Sequence, residues 1–221
     1  MTTRGEIEVW VLPLTGETTP AERGLLSAAE LDRVRRFDAV GAACDYVRIR
    51  ATLRRLLSDR TGCPPRELVF VTGPHGKPEL RSAPVPFNIT HTRGLALLAI
   101  AKSGAVGVDA EAVDIYARDV TGLISRVLTP REVAVVGGDR RRFLEHWVAK
   151  ESYLKWLGHG LTVSPDELEL ATDSAGRPVI TSPGRPTHPV HRLDLGHDHI
   201  GAVVCDGHSP RIQLRQIGGP S

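Results

Sequence analysis

The chain has 221 residues, 41% of them hydrophobic, with 28 basic against 26 acidic side chains and a formal net charge of +2. It can bury a real core as one large domain or two small ones, and its balanced charge and 5% aromatic content argue against a nucleic-acid protein. With no apolar window near the roughly 20 residues of a membrane span, acids at Glu6 and Glu8 where a signal peptide would be apolar, and three scattered cysteines outside any paired spacing, the expectation is a cytoplasmic protein without a membrane or nucleic-acid partner.

In chain order, the first expected element is a short helix at "LSAAEL" (26–31), where Ser27 precedes Glu30 by three residues in the pattern of a capping box. A longer helix is expected over about 43–60, with an apolar stripe of Tyr46, Ile49, Leu53 and Leu57 flanked by Arg50. Strands are expected at "LVFV", "LALLAIA" and "AVGVDAE", with the turn "HGKP" and the stretch "FNITHT" between the first two. The second half repeats this order: "LTPREV" (128–133) as a capped start, a long helix over about 140–157, then strands at "LELAT", "PVIT" and "IGAVVC".

The repetition extends to sequence. "LSAAEL" is answered by "LTPREV", "PREL" (65–68) by "PDEL" (165–168), "HGKPEL" (75–80) by "AGRPVI" (175–180), and "GLALLAIA" (94–101) by "GAVVC" (201–205). Four weak matches in one order at an offset near 100 residues indicate an internal duplication. The expected fold is therefore α+β, a pseudo-twofold duplex of two similar lobes, 1–103 and 104–221, with a ligand cleft between them.

The helix "FLEHWVAKESYLKWLG" (143–158) carries the first chemical signal. Phe143, Leu144, Trp147, Val148 and Leu154 form an apolar stripe, yet Glu151 falls in its middle and Lys155 at its edge one turn on. A helical Glu-Lys pair contributes only a few tenths of a kcal/mol on a surface, but a carboxylate among apolar side chains needs a cation, a metal or hydrogen bonds. In the first lobe the matching place falls at Arg50 and Ala51, so the site is single.

The second signal is "AVGVDAEAVD" (105–114). Strand alternation puts Asp109 and Glu111 on one face and Val106, Val108 and Ala110 on the other. Taken with Glu151, this gives three carboxylates for one hard cation, and an all-oxygen set favours Mg²⁺, which usually completes its shell with water and phosphate oxygens. Cations facing a phosphate-bearing ligand would be Lys155, Lys77 in the "HGKP" turn, and Arg50; His91 could add a hydrogen bond to a phosphate oxygen.

These residues resemble the Sfp-type 4′-phosphopantetheinyl transferases. "GVDAE" (107–111) and "WVAKESYLK" (147–155) are similar to that family's paired motifs, as are "GKP" (76–78), "FNITH" (87–91) and "GHGLTVSPDELEL" (158–170), so the resemblance spans essentially the whole chain. It implies transfer of the phosphopantetheine arm of coenzyme A, the co-substrate, to a serine of an apo acyl or peptidyl carrier protein, with release of adenosine 3′,5′-bisphosphate. By the same resemblance Asp109, Glu111 and Glu151 would hold Mg²⁺, Glu151 could also take the serine proton, and Lys155 would contact phosphate. Lys77, Thr90 and His91 would meet the nucleotide end. Thr90 stands where serine is common, and Arg50 is chosen for the 3′-phosphate because the motif match itself lands on Asp45.

The docking segment for the carrier protein would be 115–129, with Ile115, Leu123, Ile124 and Val127 as apolar candidates. The fused lobes suggest a monomer. Two other functions fit the same residues: a coenzyme A or nucleotide pyrophosphohydrolase using water as nucleophile, and a non-catalytic coenzyme A-binding protein. Which carrier is served, in fatty-acid, polyketide or non-ribosomal peptide synthesis, is not written in the sequence.

Overall fold

A computed structural model describes residues 5–73, 76–81, 83–114, 121–158, 163–207 and 209–218. The first half runs β1 (Glu6–Pro13), α1 (Pro20–Gly24), α2 (Ala28–Val34), α3 (Val40–Thr61), β2 (Phe70–Thr72), β3 (Pro78–Leu80), β4 (Phe87–Thr92) and β5 (Leu95–Ala101). The second runs β6 (Val106–Ala112), α4 (Thr121–Val127), α5 (Pro130–Val136), α6 (Arg140–Leu157), β7 (Glu169–Thr172), β8 (Pro178–Ser182), β9 (Arg185–Pro189), β10 (His191–Leu193), β11 (His199–Cys205) and β12 (Arg211–Gln216). Among the described residues no helix is long and apolar enough to cross a membrane.

The duplication is visible in pairing order. In one half β1 pairs with β5 and β5 with β4, all antiparallel; in the other β6 pairs with β11 and β11 with β10 in the same way. All four sequence matches land on equivalent structure. Ser27 and Thr129 each close a capping box, on Glu30 and Glu132. Pro65–Glu67 and Pro165–Glu167 are both single 3₁₀ turns. The turns leading into β3 and β8 share a left-handed glycine, Gly76 (φ 87°) and Gly176 (φ 75°), a conformation that glycine adopts without steric cost.

The long helices correspond too. Each ends on a left-handed glycine, Gly62 and Gly158, that donates back to the carbonyl four residues earlier. Counting back from those caps, Arg54 matches Lys150. Arg54 bonds Glu30 at 2.6 Å, and Lys150, fully buried, bonds Glu132 at 2.5 Å and the Val127 carbonyl at 2.7 Å. The duplication thus includes a buried ion pair fixing the capped helix to the long one. This match also places Arg55, not Arg50 or Ala51, opposite Glu151, because α3 has 22 residues against 18 in α6 and the connection before it is also longer.

Among the described residues two strands have no counterpart: β9, a third strand beside β7 and β8 where β2 pairs with β3 alone, and β12. β12 returns to the first half and pairs in parallel with the free edge of β1, Glu6 to Arg211 through Val11 to Gln216. The central core lies between the sheets, with Ile7, Val9, Leu97 and Ala99 packed with Val106, Val108 and Val203, and with Ile212 of β12 and Leu193 at its margin. Separate clusters sit under α3 and α6.

Candidate active site

The site forms where β4 of the first lobe runs beside β6 of the second. Side chains take the place of backbone pairing there. Alternate residues of β4 reach across: Asn88 Oδ1 accepts from Val108 N at 2.9 Å, Thr90 Oγ1 donates to Asp109 Oδ1 at 2.8 Å, and Thr92 Oγ1 accepts from Ala112 N at 3.1 Å while donating to Glu111 Oε2 at 3.0 Å. The other edge of β6 is satisfied by β11.

α6 approaches from a third side, and Gly107 is what lets it come close. A Cβ at Gly107 would lie 2.2 Å from the Ser152 carbonyl oxygen and 2.2 Å from the Trp156 nitrogen, both backbone atoms. Only glycine fits, which explains the Gly in "GVD" by helix-to-strand contact. Along α6, Trp147, Glu151 and Lys155 recur every four residues and so share one face. Trp147 Nε1 donates to Glu111 Oε1 at 3.3 Å, and Lys155 Nζ reaches Asp109 Oδ1 at 2.6 Å and Thr90 Oγ1 at 3.2 Å.

The electrostatics of the three acids are alike. Burial pushes the Asp109 carboxyl above its usual range, opposed by Lys155 and Thr90. Burial and then the Asp109 charge raise Glu111. Burial and then Asp109 raise Glu151, Lys155 working against them and Glu111 with them. Three carboxyls that all resist ionisation have one lysine among them. Asp109 Oδ2 is buried without a hydrogen-bond partner, and Glu151 makes no hydrogen bond or ion pair among the described residues. A buried carboxylate oxygen without a donor is costly unless a cation meets it.

A divalent cation fits this donor chemistry: hard oxygens, excess negative charge and an unmet lone pair. As the side chains stand, with Lys155 on Asp109, no three of the described acids and histidines converge closely enough to hold an ion.

The structure therefore gathers Thr90, Asp109, Glu111, Glu151 and Lys155 at one seam. The remaining candidates lie around it. Lys77 Nζ donates to the Val106 carbonyl at 2.9 Å and the Lys155 carbonyl at 3.0 Å, tying the β2–β3 turn to the start of β6 and the last turn of α6. Burial lowers its pKa. His91 is exposed and, by strand alternation, on the opposite face of β4 from Thr90. Arg50 bonds Glu30 at 2.6 Å and lies over the Phe70 ring, 4.1 Å from its centroid, in no contact with the acids.

Of the docking candidates, Val127 is buried and Ile124 packs against the same cluster, while Leu123 is exposed; Ile115 lies outside the described residues. Sequence reasoning missed Asn88 and Thr92, and read Trp147 only as part of an apolar stripe. The signal was available in "FNITHT", whose alternation of Asn88, Thr90 and Thr92 is that of a strand with one polar face.

Comparison with known proteins bears on the same residues. The profile of the 4′-phosphopantetheinyl transferase superfamily (ACPS) matches residues 105–205, from the start of β6 to the end of β11. A Synechocystis protein named as a 4′-phosphopantetheinyl transferase, slr0495, is 32% identical over 174 residues, covering 72% of this chain and 70% of its own. The 4′-phosphopantetheinyl transferase HetI of Nostoc is 29% identical over 180 residues, covering 75% of this chain and 74% of its own. Among solved structures, holo-[acyl-carrier-protein] synthase of Helicobacter pylori in complex with coenzyme A aligns with 46% of this chain and 99% of its own, at 16% identity and a TM-score of 0.40. With a relative this similar over most of both chains, the protein belongs to the 4′-phosphopantetheinyl transferase superfamily and is a transferase of that class.

Proposed function

We propose that this transferase moves the 4′-phosphopantetheine arm of coenzyme A onto a serine of an apo acyl or peptidyl carrier protein, with Mg²⁺ held by Asp109, Glu111 and Glu151. The observation that carries this reading is the seam itself: three acids with raised pKa values, an unmet Asp109 oxygen and a lysine bonded to Asp109, all where two lobes meet. When bound, the ion supplies charge neutralisation and orientation at a pyrophosphate. Asp109, Glu111 and Glu151 are its protein ligands.

The chain's own residues would do the rest. Glu151, free of hydrogen bonds among the described residues, accepts the proton of the carrier serine directly or through a water, and its raised pKa brings it nearer to the working pH of a general base. Lys155 offers its ammonium to the phosphate that gathers charge as the bridging P–O bond breaks and the serine Oγ–P bond forms. Adenosine 3′,5′-bisphosphate leaves. Thr90 keeps Lys155 and Asp109 in register. Lys77, with one N–H donor beyond the two it uses, His91 and Arg50 are the candidates for the nucleotide end.

The division of labour follows the lobes: residues 1–103 for nucleotide contacts, and 104–221 for the carboxylates and, through 115–129, carrier docking. Fused lobes that already bury a shared core support a monomer, and three cysteines without a disulfide suit a reducing compartment such as the cytoplasm. The test is intact-protein mass of apo carrier proteins after incubation with the enzyme, coenzyme A and Mg²⁺, with and without EDTA. A gain of one phosphopantetheine mass that EDTA abolishes is expected. Cleavage of coenzyme A with no gain on any carrier would put water in place of the serine.

A further inference from the structure

The seam treats its first two acids differently. Asp109 is met by a cation, Lys155. Among the described residues Glu111 is met on both oxygens by neutral donors alone, Thr92 Oγ1 on Oε2 and Trp147 Nε1 on Oε1. A neutral donor fixes a carboxylate's direction without cancelling its charge, whereas a lysine there would compete with an incoming ion. Each carboxylate oxygen keeps a further lone pair after accepting one bond.

Thr92 is itself held. Its hydroxyl has one hydrogen, and it already accepts the Ala112 N–H of β6. That contact turns the hydroxyl hydrogen away from the β6 backbone and toward Glu111. Thr92 is buried, so water does not offer it an alternative. Trp147 comes from α6 and Thr92 from β4, so the Glu111 carboxylate is fixed from two elements in two lobes.

On these contacts we propose that Thr92 and Trp147 are positioning residues for the cation site, holding Glu111 as a pre-oriented ligand and making its geometry depend on the seating of β4 against β6. The physical gain is entropic as well as directional. A free glutamate side chain gives up rotamer freedom when immobilised, and outer partners of metal ligands typically alter metal affinity by about 10–100-fold. The inference rests on Asp109, Glu111 and Glu151 being the cation ligands.

The test is Mg²⁺ binding by calorimetry, together with KM for Mg²⁺ and kcat in the transfer assay. It compares wild type with Thr92→Val, Thr92→Ser and Trp147→Phe. Thr92→Val and Trp147→Phe should each weaken Mg²⁺ binding and raise KM for Mg²⁺ by about tenfold or more, with kcat recovered at high Mg²⁺. Thr92→Ser, which keeps the hydroxyl, should bind as wild type does. Thr92→Val also strands the Ala112 N–H and lowers stability, but Trp147→Phe leaves β6 untouched, so a shared loss of affinity separates positioning from folding. Unchanged Mg²⁺ affinity in both variants, with wild type binding normally, would overturn the positioning role. Failure of wild type to bind Mg²⁺ at all would overturn the cation site and the positioning role together.

Discussion

The two seams between the lobes are related by the duplication yet closed by different means. At one, β4 meets β6 through the side chains of Asn88, Thr90 and Thr92, leaving carboxylates in a polar cleft. At the other, where β1 would meet β10, β12 pairs with β1, and Ile212 and Leu193 both pack against the margin of the central core. The helices repeat the contrast. Lys150 and Arg54 keep the same buried bond to a capping-box glutamate, whereas Glu151 and Lys155 stand where α3 shows Arg55 and Asp59 to solvent. Duplication preserved what builds a lobe, and the site arose where one seam was left to side chains.

That comparison can be broken most severely at the acids. Glu151→Gln and Asp109→Asn should each lower kcat for transfer by about 10²–10³-fold or more, while circular dichroism remains native. In EDTA both variants should melt at or above the wild-type temperature, because each removes a buried charge that burial disfavours. Loss of fold in both would make these carboxylates structural and the seams equivalent.

Next comes the conserved half of the comparison. Lys150→Met leaves Glu132 buried without its ammonium and should cost about 3–5 kcal/mol in urea unfolding; Arg54→Met also destabilises, but by less, because Glu30 keeps its second cation, Arg50. A large cost in one lobe and none in the other would end the claim that the ion pair is a shared building element. Gly107→Ala should cost about 1–3 kcal/mol through overpacking against α6 and reduce transfer as well, since α6 carries Glu151 and Lys155; full activity would show that the helix can retreat without disturbing the site.

The smallest effect concerns pH. Asp109, Glu111 and Glu151 are all raised by burial in the folded protein. A carboxyl with a higher pKa folded than unfolded contributes stability below its unfolded pKa and loses it as pH rises through its folded pKa. Without a divalent cation the protein should therefore lose stability as pH climbs out of the carboxylate range toward neutrality. Mg²⁺ at a hundredfold excess over Kd should restore about 2.7 kcal/mol at neutral pH and progressively less in acid, where protons compete. A Mg²⁺ shift in melting temperature independent of pH would place the ion elsewhere.

Much of this was legible in the sequence, for physical reasons. Capping boxes at Ser27 and Thr129, the 3₁₀ turns and the glycine turns are local, so they announced the duplication before any packing was known. The parity of β6 put Asp109 and Glu111 on one face, and α6 aimed Glu151 into its apolar stripe. The strands β1, β3, β4, β9, β10 and β12 were not foreseen. β4 carries the alternation of a strand, but that its polar face is buried in the seam is a tertiary fact, and β12 is polar along an exposed edge. Lys77 and Arg50 were expected to face ligand, but their bonds to α6 and to Glu30 depend on tertiary contacts that spacing does not encode.

The most direct measurement is a crystal structure of the enzyme with coenzyme A and Mn²⁺ in place of Mg²⁺, with anomalous scattering used to locate the ion. The account predicts one peak ligated by Asp109, Glu111 and Glu151 and by pyrophosphate oxygens, with Lys155 moved from Asp109 to phosphate. A peak away from these three residues, or none while Lys155 still bonds Asp109 beside bound coenzyme A, would contradict it.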